Sequence, residues 1–428
     1  MPIEDAAGQQ TNAGLMRMRF RETRSATEEL CRSLTAEDMM VQSCPEASPT
    51  KWHLAHTSWF FETFILREFV PGYRPFDDRF LWLFNSYYKS LGEMPEKKLR
   101  ASFSRPGLDE ILAFRRHVNE AMDRLLAAGA PEAALNRVLL GLHHEQQHLE
   151  LIATDIKHAF FTNPLHPAFV AGSLPVAEIP APPIAWIGYE GGLAEIGDKG
   201  SEFSFDNETP RHRVFLEPYR LASRLTTCAE YLAFMEDAGY QRPELWLSEG
   251  WDTVEREGWR APLYWRRDET GRWQIFTMRG WQSLEDLSET PVCHVSFFEA
   301  DAFARWAGKR LATEFEWERA AAQLPVSGNL FESGLLHPSS ASITPGLTQI
   351  FGDVWEWTAS AYTGYPGYKP LPGALGEYNG KFMSSQMVLR GGSCVTPVSH
   401  LRASYRNFFQ PATRWQFSGI RLADGANA

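Results

Sequence analysis

A proline-dense segment divides the chain and constrains its fold more than any other feature. Residues 163–184 read NPLHPAFVAGSLPVAEIPAPPI and hold six of the 27 prolines. Because proline lacks a backbone N–H and fixes its φ angle, this density prevents regular secondary structure. We therefore interpret residues 163–184 as a linker between two domains, residues 1–162 and residues 185–428.

The first domain has the residue spacing that is typical of helices. From about residue 12 to residue 162, apolar side chains recur three and four positions apart, and glycine is sparse. One helix is predicted to open at Ser48-Pro49, because serine can cap free N–H groups and proline fits the first turn. Further helices are predicted to start near residues 105–107 and after Pro131. Several such helices with short connections predict a four-helix bundle.

The second domain shows a different pattern. After Trp186, glycine and proline become frequent and the apolar runs become short. Short strands between turns are predicted within residues 211–222, 272–278 and 386–393. Two helices are predicted around residues 227–238 and 297–307. The sequence therefore predicts a multidomain protein of the α+β class.

Composition excludes several classes of partner. The 428 residues carry 53 acidic and 42 basic side chains, so the net charge of −11 should repel a polyphosphate backbone, and we expect no nucleic-acid partner. No apolar run approaches the roughly 18–20 residues that span a bilayer, and we expect no membrane partner. The five cysteines form no CxxC pair and the N-terminus lacks signal-peptide features, which favours a cytoplasmic protein.

Histidines cluster in the last predicted helix of the first domain. His144 and His148 are four residues apart, so both imidazoles project from one helical face and suit a single metal ion. A third ligand would come from His53 or His56 on the helix after Ser48, and their spacing does not choose between them. Imidazole ligands suit zinc, copper, iron and nickel.

The same histidines also belong to a second pattern. The string from His144 to His148 matches the H-E-x-x-H signature of zinc hydrolases, in which the glutamate, here Glu145, is the general base. Glu150 lies about 240° round the helix from His144 and should not join the same ion. On spacing alone, a zinc hydrolase competes with other metal enzymes.

Further strings, in this order along the chain, resemble those of the hercynine oxygenases, the iron-dependent sulfoxide synthases of ergothioneine biosynthesis. They are Leu54-Ala55-His56, the H-x-x-x-H-x-E pattern at residues 144–150, GDVWEWTAS (352–360), LRGGS (389–393), SYRNFF (404–409) and FSGIRLA (417–423). The resemblance implies an N-terminal DinB-like four-helix bundle followed by a formylglycine-generating-enzyme-like domain with a C-type-lectin-like fold.

The resemblance also implies a metal and its ligands. The three facial histidines of the family correspond to His56, His144 and His148, and the ion is Fe(II). His53 is then a structural residue beside the site. Glu145 is not a catalytic base in this family, which weakens the hydrolase interpretation.

Formylglycine-generating activity is not expected from the second domain. The copper-binding cysteines of those enzymes correspond here to Thr396 and Leu401. Cys394 lies off that register, so we predict that Cys394 is a buried core residue.

The family joins the sulfur of cysteine, or of γ-glutamylcysteine, to the imidazole C2 of hercynine with O2. The resemblance implies that Gln147 and Asn407 contact hercynine. Phe408 and Phe409 are predicted to lie near its trimethylammonium group, since aromatic faces suit a quaternary ammonium. Where the γ-glutamylcysteine users carry Trp-Asp, this chain has Phe408-Phe409, which favours free cysteine.

Two further roles follow from the cysteine-using branch of the family. Arg100 is predicted to pair with the cysteine carboxylate, and the alternative is a solvated basic patch around it. The string Asn85-Ser86-Tyr87-Tyr88 resembles the paired-tyrosine motif of this branch, so Tyr87 and Tyr88 are the predicted proton donors. Tyr378 is the alternative donor, because the other branch takes its tyrosine from the C-terminal domain.

Other functions remain open from the sequence. Within the same chemistry they are the reaction with γ-glutamylcysteine, a selenoneine synthase that uses a selenosugar, and an ovothiol-type synthase that uses histidine. Outside it they are a zinc hydrolase or thiol transferase on the bundle, and a lectin-like binding module.

Overall fold

The computed structural model describes residues 3–425 and divides them into two compact units. The first unit runs to Thr162 and also includes Pro372–Tyr378, while the second comprises Asn163–Leu371 and the chain from Asn379 onward. The division after Thr162 lies where the proline-dense segment begins. The short segment Pro372–Tyr378 groups with the helices, although sequence position alone assigns it to the second domain.

Four long helices form the first unit. They are α1 (Ile3–Cys31), α2 (Thr50–Phe61), α5 (Leu108–Ala127) and α6 (Glu132–Thr162), with the short α3 (Arg67–Phe69) and α4 (Phe80–Leu83) between them. Helices α1 and α2 each pack against both α5 and α6. After Phe61 the chain continues as one π-helical segment, Glu62–Leu66, before α3.

The helix starts differ little from the predicted ones. Helix α5 begins after Gly107 and α6 begins after Pro131, as predicted. Helix α2 begins at Thr50, but the Ser48 side chain does not cap it and Pro49 holds the cap position. The Ser48 hydroxyl instead accepts a hydrogen bond from Arg100, so the predicted cap at Ser48 is wrong, although the helix begins only two residues later.

The second unit is built from short strands in four small sheets. The strands are β1 (Trp186–Tyr189), β2 (Gly192–Ile196), β3 (His212–Leu216), β4 (Tyr219–Ala222), β5 (Trp265–Arg267), β6 (Trp273–Thr277), β7 (Gly280–Ser283), β8 (Arg310–Leu311), β9 (Trp355–Ala361), β10 (Met387–Arg390), β11 (Asn407–Phe409), β12 (Ser418–Gly419) and β13 (Leu422–Gly425). Their orders are β1-β4-β13-β8, β11-β10-β9-β12, β2-β3 and β5-β6-β7. Neighbouring strands are antiparallel, except that β12 and β9 run parallel.

Helices α7 (Cys228–Glu236), α8 (Ser248–Glu257), α9 (Phe297–Trp306) and α10 (Glu314–Ala321) accompany these sheets. The sequence predicts α7 and α9, and both begin at a capping box, with Thr227 and Ser296 in the cap positions. It does not predict α8 or α10, although α10 also begins at a capping box, with Thr313 in the cap position.

The proline-dense segment contains no helix or strand, as predicted. It is not a free linker, because the N–H groups of Phe169 and Val170 both donate to the carbonyl of Met278. Within the described chain, none of the helices combines the length and the apolar character needed to cross a bilayer.

A network of buried charges lies in the second unit. Glu314 of α10 accepts hydrogen bonds from Arg390 at 2.9 Å and from Arg406 at 2.8 Å, and Glu318 accepts from Arg390 at 2.9 Å. All four side chains are buried. Each charge in this network therefore has an opposite charge in contact with it, which is what a buried ion requires.

Candidate metal centre

Two helices of the first unit carry the histidines of the candidate site. His56 lies in α2, and His144 and His148 lie one turn apart in α6. All 12 residues of α2, TKWHLAHTSWFF, are buried, and its polar residues are not gathered on one face of the helix. Since α2 packs against α6, the imidazole of His56 is brought to the face of α6 that carries the other two.

One ring nitrogen from each of His56, His144 and His148 lies within 4.8 Å of the others. Burial lowers the pKa of His144 to about 3 and lowers the pKa values of His56 and His148 well below the usual range. All three imidazoles are therefore neutral at pH 7 and have lone pairs to offer a metal ion. Among the described residues, no carboxylate belongs to this group.

The other contacts of these three rings differ from one another. The Nδ1 of His56 lies 2.6 Å from the carbonyl oxygen of Phe84, and the Nδ1 of His148 lies 2.8 Å from the Nδ1 of His53. The buried Nδ1 of His144 has no hydrogen-bond partner in the described structure. The structure thus separates His56 from His53, a choice that spacing left open: His56 belongs to the three-histidine group and His53 contacts it.

A continuous stack of flat side chains holds His56 in place. The His56 ring is stacked between Trp52, at 4.5 Å between centroids, and Trp59, at 5.3 Å. On the far side of Trp52 the guanidinium of Arg100 lies 3.4 Å from the indole centroid. Such a stack leaves the His56 ring little freedom to rotate, because both of its faces are covered.

Arg100 is buried rather than part of a solvated patch, with 5% of its surface exposed. Its two terminal nitrogens donate to the hydroxyls of Ser48 at 2.8 Å and Ser86 at 2.9 Å. Burial lowers the pKa of Arg100 to about 10, and among the described residues no carboxylate forms a salt bridge with it. The guanidinium therefore donates to neutral hydroxyls without a carboxylate in direct contact, which favours an anionic ligand.

Glu145, the base of a hydrolase interpretation, is held in a different environment. Its two carboxylate oxygens accept from Arg24 and Arg115, each at 2.7 Å, and its side chain is fully buried. Burial opposes the charged form, but Arg115 and Arg24 outweigh it and lower the pKa of Glu145 to about 2. A carboxylate so held is a poor proton acceptor, so this geometry argues against the zinc hydrolase.

The three candidate tyrosines lie in different surroundings. Tyr88 is 1% exposed, its ring packs against Trp59 at 5.6 Å between centroids, and its hydroxyl has no hydrogen-bond partner in the described structure. Tyr87 is 40% exposed and has a φ of 72°, an unusual value for a bulky residue. Tyr378, in the segment that joins the first unit, lies 5.8 Å from the His144 ring between centroids.

The predicted hercynine-binding residues are spread over both units. Gln147 lies half-buried in α6 next to His148. Asn407, Phe408 and Phe409 form β11 in the second unit, where the Phe408 ring stacks on Tyr362 at 4.0 Å. The ring of Phe409 meets Trp415 edge to face at 5.5 Å.

Cys394 in the second unit is fully buried, as predicted. The sequence reasoning missed Trp52, which stacks on a member of the three-histidine group, and Asp155, which contacts His53 beside that group. Trp52 stacks on His56 four positions along α2, and Asp155 lies seven positions beyond His148 in α6. Both intervals return a side chain to the same helical face, so helical spacing from the histidines would have indicated them.

Comparisons with known proteins place these features in context. Residues 181–344 and 337–426 match the model of the sulfatase-modifying factor enzyme 1-like domain, and residues 19–152 match that of the DinB superfamily. A hercynine oxygenase from Mycolicibacterium smegmatis is 37% identical over 51% of this chain and 56% of its own length. The chain spans a little over half the length of the curated hercynine oxygenases that it matches.

Two further similarities are to a formylglycine-generating enzyme and to a solved structure. A formylglycine-generating enzyme from Streptomyces coelicolor is 29% identical over 55% of this chain and 88% of its own length. The solved structure of PvdO from Pseudomonas aeruginosa aligns with 58% of this chain and 99% of its own at 19% identity, with a TM-score of 0.40.

Proposed function

Because the chain belongs to the family of proteins with a sulfatase-modifying factor enzyme 1-like domain, and because its bundle gathers three histidines, we propose that it is a hercynine oxygenase. The proposed reaction joins the sulfur of L-cysteine to the imidazole C2 of hercynine and oxidises that sulfur to the sulfoxide, with Fe(II) and O2. The similarity to curated hercynine oxygenases supports this choice over formylglycine generation.

One observation carries the proposal: His56, His144 and His148 form a buried group of neutral imidazoles without a carboxylate among the described residues. This donor set fits Fe(II), which imidazole ligands suit, and the unpartnered Nδ1 of His144 shows that the group is not satisfied by hydrogen bonds alone. Fe(II) bound there would supply the redox chemistry of O2 and of the thiol sulfur. His56, His144 and His148 would hold the ion.

Arg100 is the proposed partner of the cysteine carboxylate. Its guanidinium is buried, donates to two serine hydroxyls, and forms no ion pair among the described residues. A carboxylate that accepts from it gains a charge-assisted hydrogen bond in a site from which water is largely removed. Through Trp52, Arg100 lies in the same stack as His56, so a thiol bound by its carboxylate would be oriented relative to a metal ligand.

Gln147, Asn407, Phe408 and Phe409 remain the proposed hercynine-binding residues. A glutamine beside His148 can donate to a carboxylate or to an imidazole nitrogen. The stacked pair of Phe408 and Tyr362 presents the kind of aromatic surface that binds a quaternary ammonium, at roughly 0.5–2 kcal/mol per contact. Asn407 stands next to that pair in β11.

The reaction also requires a proton donor, and Tyr87 and Tyr88 are the proposed residues. Burial raises the pKa of Tyr88, so its phenol stays neutral, and its hydroxyl is free of other hydrogen bonds in the described structure. An unpartnered hydroxyl that keeps its proton can donate a hydrogen bond to a bound substrate, while the raised pKa makes it a weaker acid than an exposed tyrosine. Tyr378 is the competing candidate because its ring contacts that of His144.

The decisive experiment combines the anaerobically purified protein with Fe(II), hercynine and cysteine, then admits O2 and analyses the product by mass. We expect hercynylcysteine sulfoxide, with a higher kcat/KM for cysteine than for γ-glutamylcysteine. The absence of this product with either thiol would overturn the proposed function. A clear preference for γ-glutamylcysteine would support the same reaction and overturn the choice of cysteine as the thiol. A protein that is purified with Zn(II), and whose activity does not rise when Fe(II) is added, would favour a hydrolase.

A further inference from the structure

His148 is the end of a hydrogen-bonded chain that links two helices of the bundle. Its Nδ1 lies 2.8 Å from the Nδ1 of His53 in α2, and the Nε2 of His53 lies 3.1 Å from the Oδ2 of Asp155, back in α6. The same carboxylate oxygen accepts from the backbone N–H of Ser48 at 2.8 Å. The side chains of His148, His53 and Asp155 are all buried, so water does not compete for these hydrogen bonds.

The order of donors along this chain is fixed by Asp155. A carboxylate only accepts hydrogen bonds, so the Nε2 of His53 must carry the proton that Asp155 receives. A neutral imidazole has one N–H, and the Nδ1 of His53 is therefore an acceptor. The Nδ1 of His148 must then donate to it, which leaves the Nε2 of His148 as the nitrogen with a lone pair.

We propose that His53 and Asp155 are positioning residues that hold His148 as its Nδ1–H tautomer and so aim the Nε2 lone pair at the metal ion. This inference rests on the metal-dependent function proposed above and deepens it. Histidine ligands of metals are commonly oriented by a carboxylate or carbonyl on the other ring nitrogen. Here the carboxylate acts through a second histidine, and the chain joins α2 to α6.

The three histidines of the metal group differ in their hydrogen bonds, which supports a specific role for the hydrogen bonds from His148 through His53 to Asp155. The Nδ1 of His56 has the carbonyl of Phe84, and stacking covers both of its faces. His144 is stacked on Phe60 at 4.5 Å between centroids, and its Nδ1 has no hydrogen-bond partner in the described structure. His148 alone among the three reaches a carboxylate through its hydrogen bonds in the described structure, so its orientation should depend most on partner side chains.

The test measures metal affinity rather than turnover. Anaerobic titrations with Co(II), followed by its visible absorption, and with Fe(II) give a Kd for the wild-type protein, and the metal-dependent rise in Tm gives a second estimate. We expect His53→Phe to weaken the Kd by about 10–100-fold, the usual effect of removing such a partner. We expect His53→Gln to restore most of the affinity, because its amide can donate to Asp155 and accept from His148.

His158→Phe is the matched control. His158 is another imidazole of α6, its Nδ1 contacts the hydroxyl of Ser43, and it lies outside the metal group. Its variant should keep the wild-type Kd. A wild-type Kd in His53→Phe, or a His53→Gln variant as weak as His53→Phe, would overturn the inference. A wild-type protein that binds neither metal would overturn the proposed function itself, which keeps the two failures apart.

A measurement on the wild-type protein covers the case in which His53→Phe does not fold. In the Zn(II)-loaded protein, labelled with ¹⁵N at histidine, the ring-nitrogen shifts report which nitrogen carries the proton. We expect the Nδ1–H tautomer for His148 and the Nε2–H tautomer for His53. The opposite tautomer at His148 would contradict the proposal whatever the variants show.

Discussion

Two buried polar clusters, one in each unit, differ in how their charges are paired. In the second unit, Arg390 pairs with Glu314 and Glu318 at 2.9 Å, and Arg406 pairs with Glu314 at 2.8 Å. In the first unit, the three-histidine group contains neutral rings, and Arg100 beside it forms no ion pair in the described structure. The charges of the cluster in the second unit are therefore paired with one another, whereas Arg100 in the first unit has no charged partner in contact with it.

The difference separates a structural role from a functional one. Burying ions is costly unless each is paired, so a balanced network is sufficient to explain why the ions of the second unit are retained. The unpartnered Nδ1 of His144 and hydroxyl of Tyr88 gain nothing from the fold. A bound metal ion or substrate that contacts such atoms would supply the partner that the protein does not. Changes in the balanced network should therefore affect stability, and changes in the incomplete one should affect binding and chemistry.

The largest effect is expected from His144→Gln in the incomplete cluster. Removal of one of three ligands should abolish metal binding and leave no detectable hercynylcysteine sulfoxide. Since the Nδ1 of His144 makes no hydrogen bond in the described structure, the metal-free protein should change its free energy of unfolding by only about 1.5 kcal/mol or less. Metal analysis, product analysis and denaturant titration check the three parts. A destabilised apoprotein that still binds metal would break the distinction between the clusters.

A smaller loss is expected from Tyr88→Phe and Tyr87→Phe. General acids contribute about 10²–10⁴-fold, so loss of the donor should shift the product from hercynylcysteine sulfoxide to cysteine sulfinate by about 100-fold or more. The product ratio, measured by mass analysis, checks this. Tyr73→Phe is the matched control, because the Tyr73 hydroxyl already donates to Glu62. An unchanged ratio in Tyr87→Phe and Tyr88→Phe would refute the assignment, and a shift confined to Tyr378→Phe would give the role to Tyr378.

In the balanced cluster, Arg390→Met should cost about 3–5 kcal/mol of unfolding free energy, because it leaves the buried carboxylate of Glu318 without its arginine and leaves Glu314 with Arg406 alone. The Kd for Co(II) should not change. Arg305→Met is the control: Arg305 pairs with Asp301 at the surface, and its loss should cost less than about 1 kcal/mol. Denaturant titration measures both. Equal costs for the two variants would mean that the buried network is not structural.

Helical spacing predicted part of the incomplete cluster. The interval between His144 and His148 placed both rings on one face of α6, and that inference depends only on helix geometry. His53 and His56 were indistinguishable, because both lie on a helix that is buried on every side and tertiary packing decides which ring enters the group. The family resemblance, not periodicity, chose His56.

Other parts of the structure were not predictable from local patterns. The burial of Arg100 depends on contacts with Ser48 and Ser86, which are distant in sequence, and a basic residue next to lysines reads locally as solvated. Tyr378 comes to the site from the far half of the chain. Helix α10 did carry a local signal, since Thr313 and Glu316 form a capping box, the T-x-x-E pattern that marks a helix start.

The smallest effect is expected at Arg100, whose charge, unlike those of Arg390 and Arg406, has no carboxylate in contact with it in the described structure. A hydrogen bond to a charged group contributes about 1.5–3 kcal/mol, and each 1.4 kcal/mol is tenfold, so Arg100→Gln should raise the KM for cysteine by about 10–100-fold. The kcat and the KM for hercynine should change little. Lys98→Gln is the control, because Lys98 is exposed and pairs only with Glu96 among the described residues.

Cysteamine, which lacks the carboxylate, separates a binding role of Arg100 from a structural one. If the guanidinium binds the carboxylate, wild-type protein and Arg100→Gln should use cysteamine with similar kcat/KM, while they differ on cysteine. If Arg100 merely supports the stack with Trp52 and His56, both thiols should lose kcat/KM by the same factor. The loss of kcat/KM on cysteine, divided by the loss on cysteamine, therefore measures whether Arg100 pairs with the substrate carboxylate.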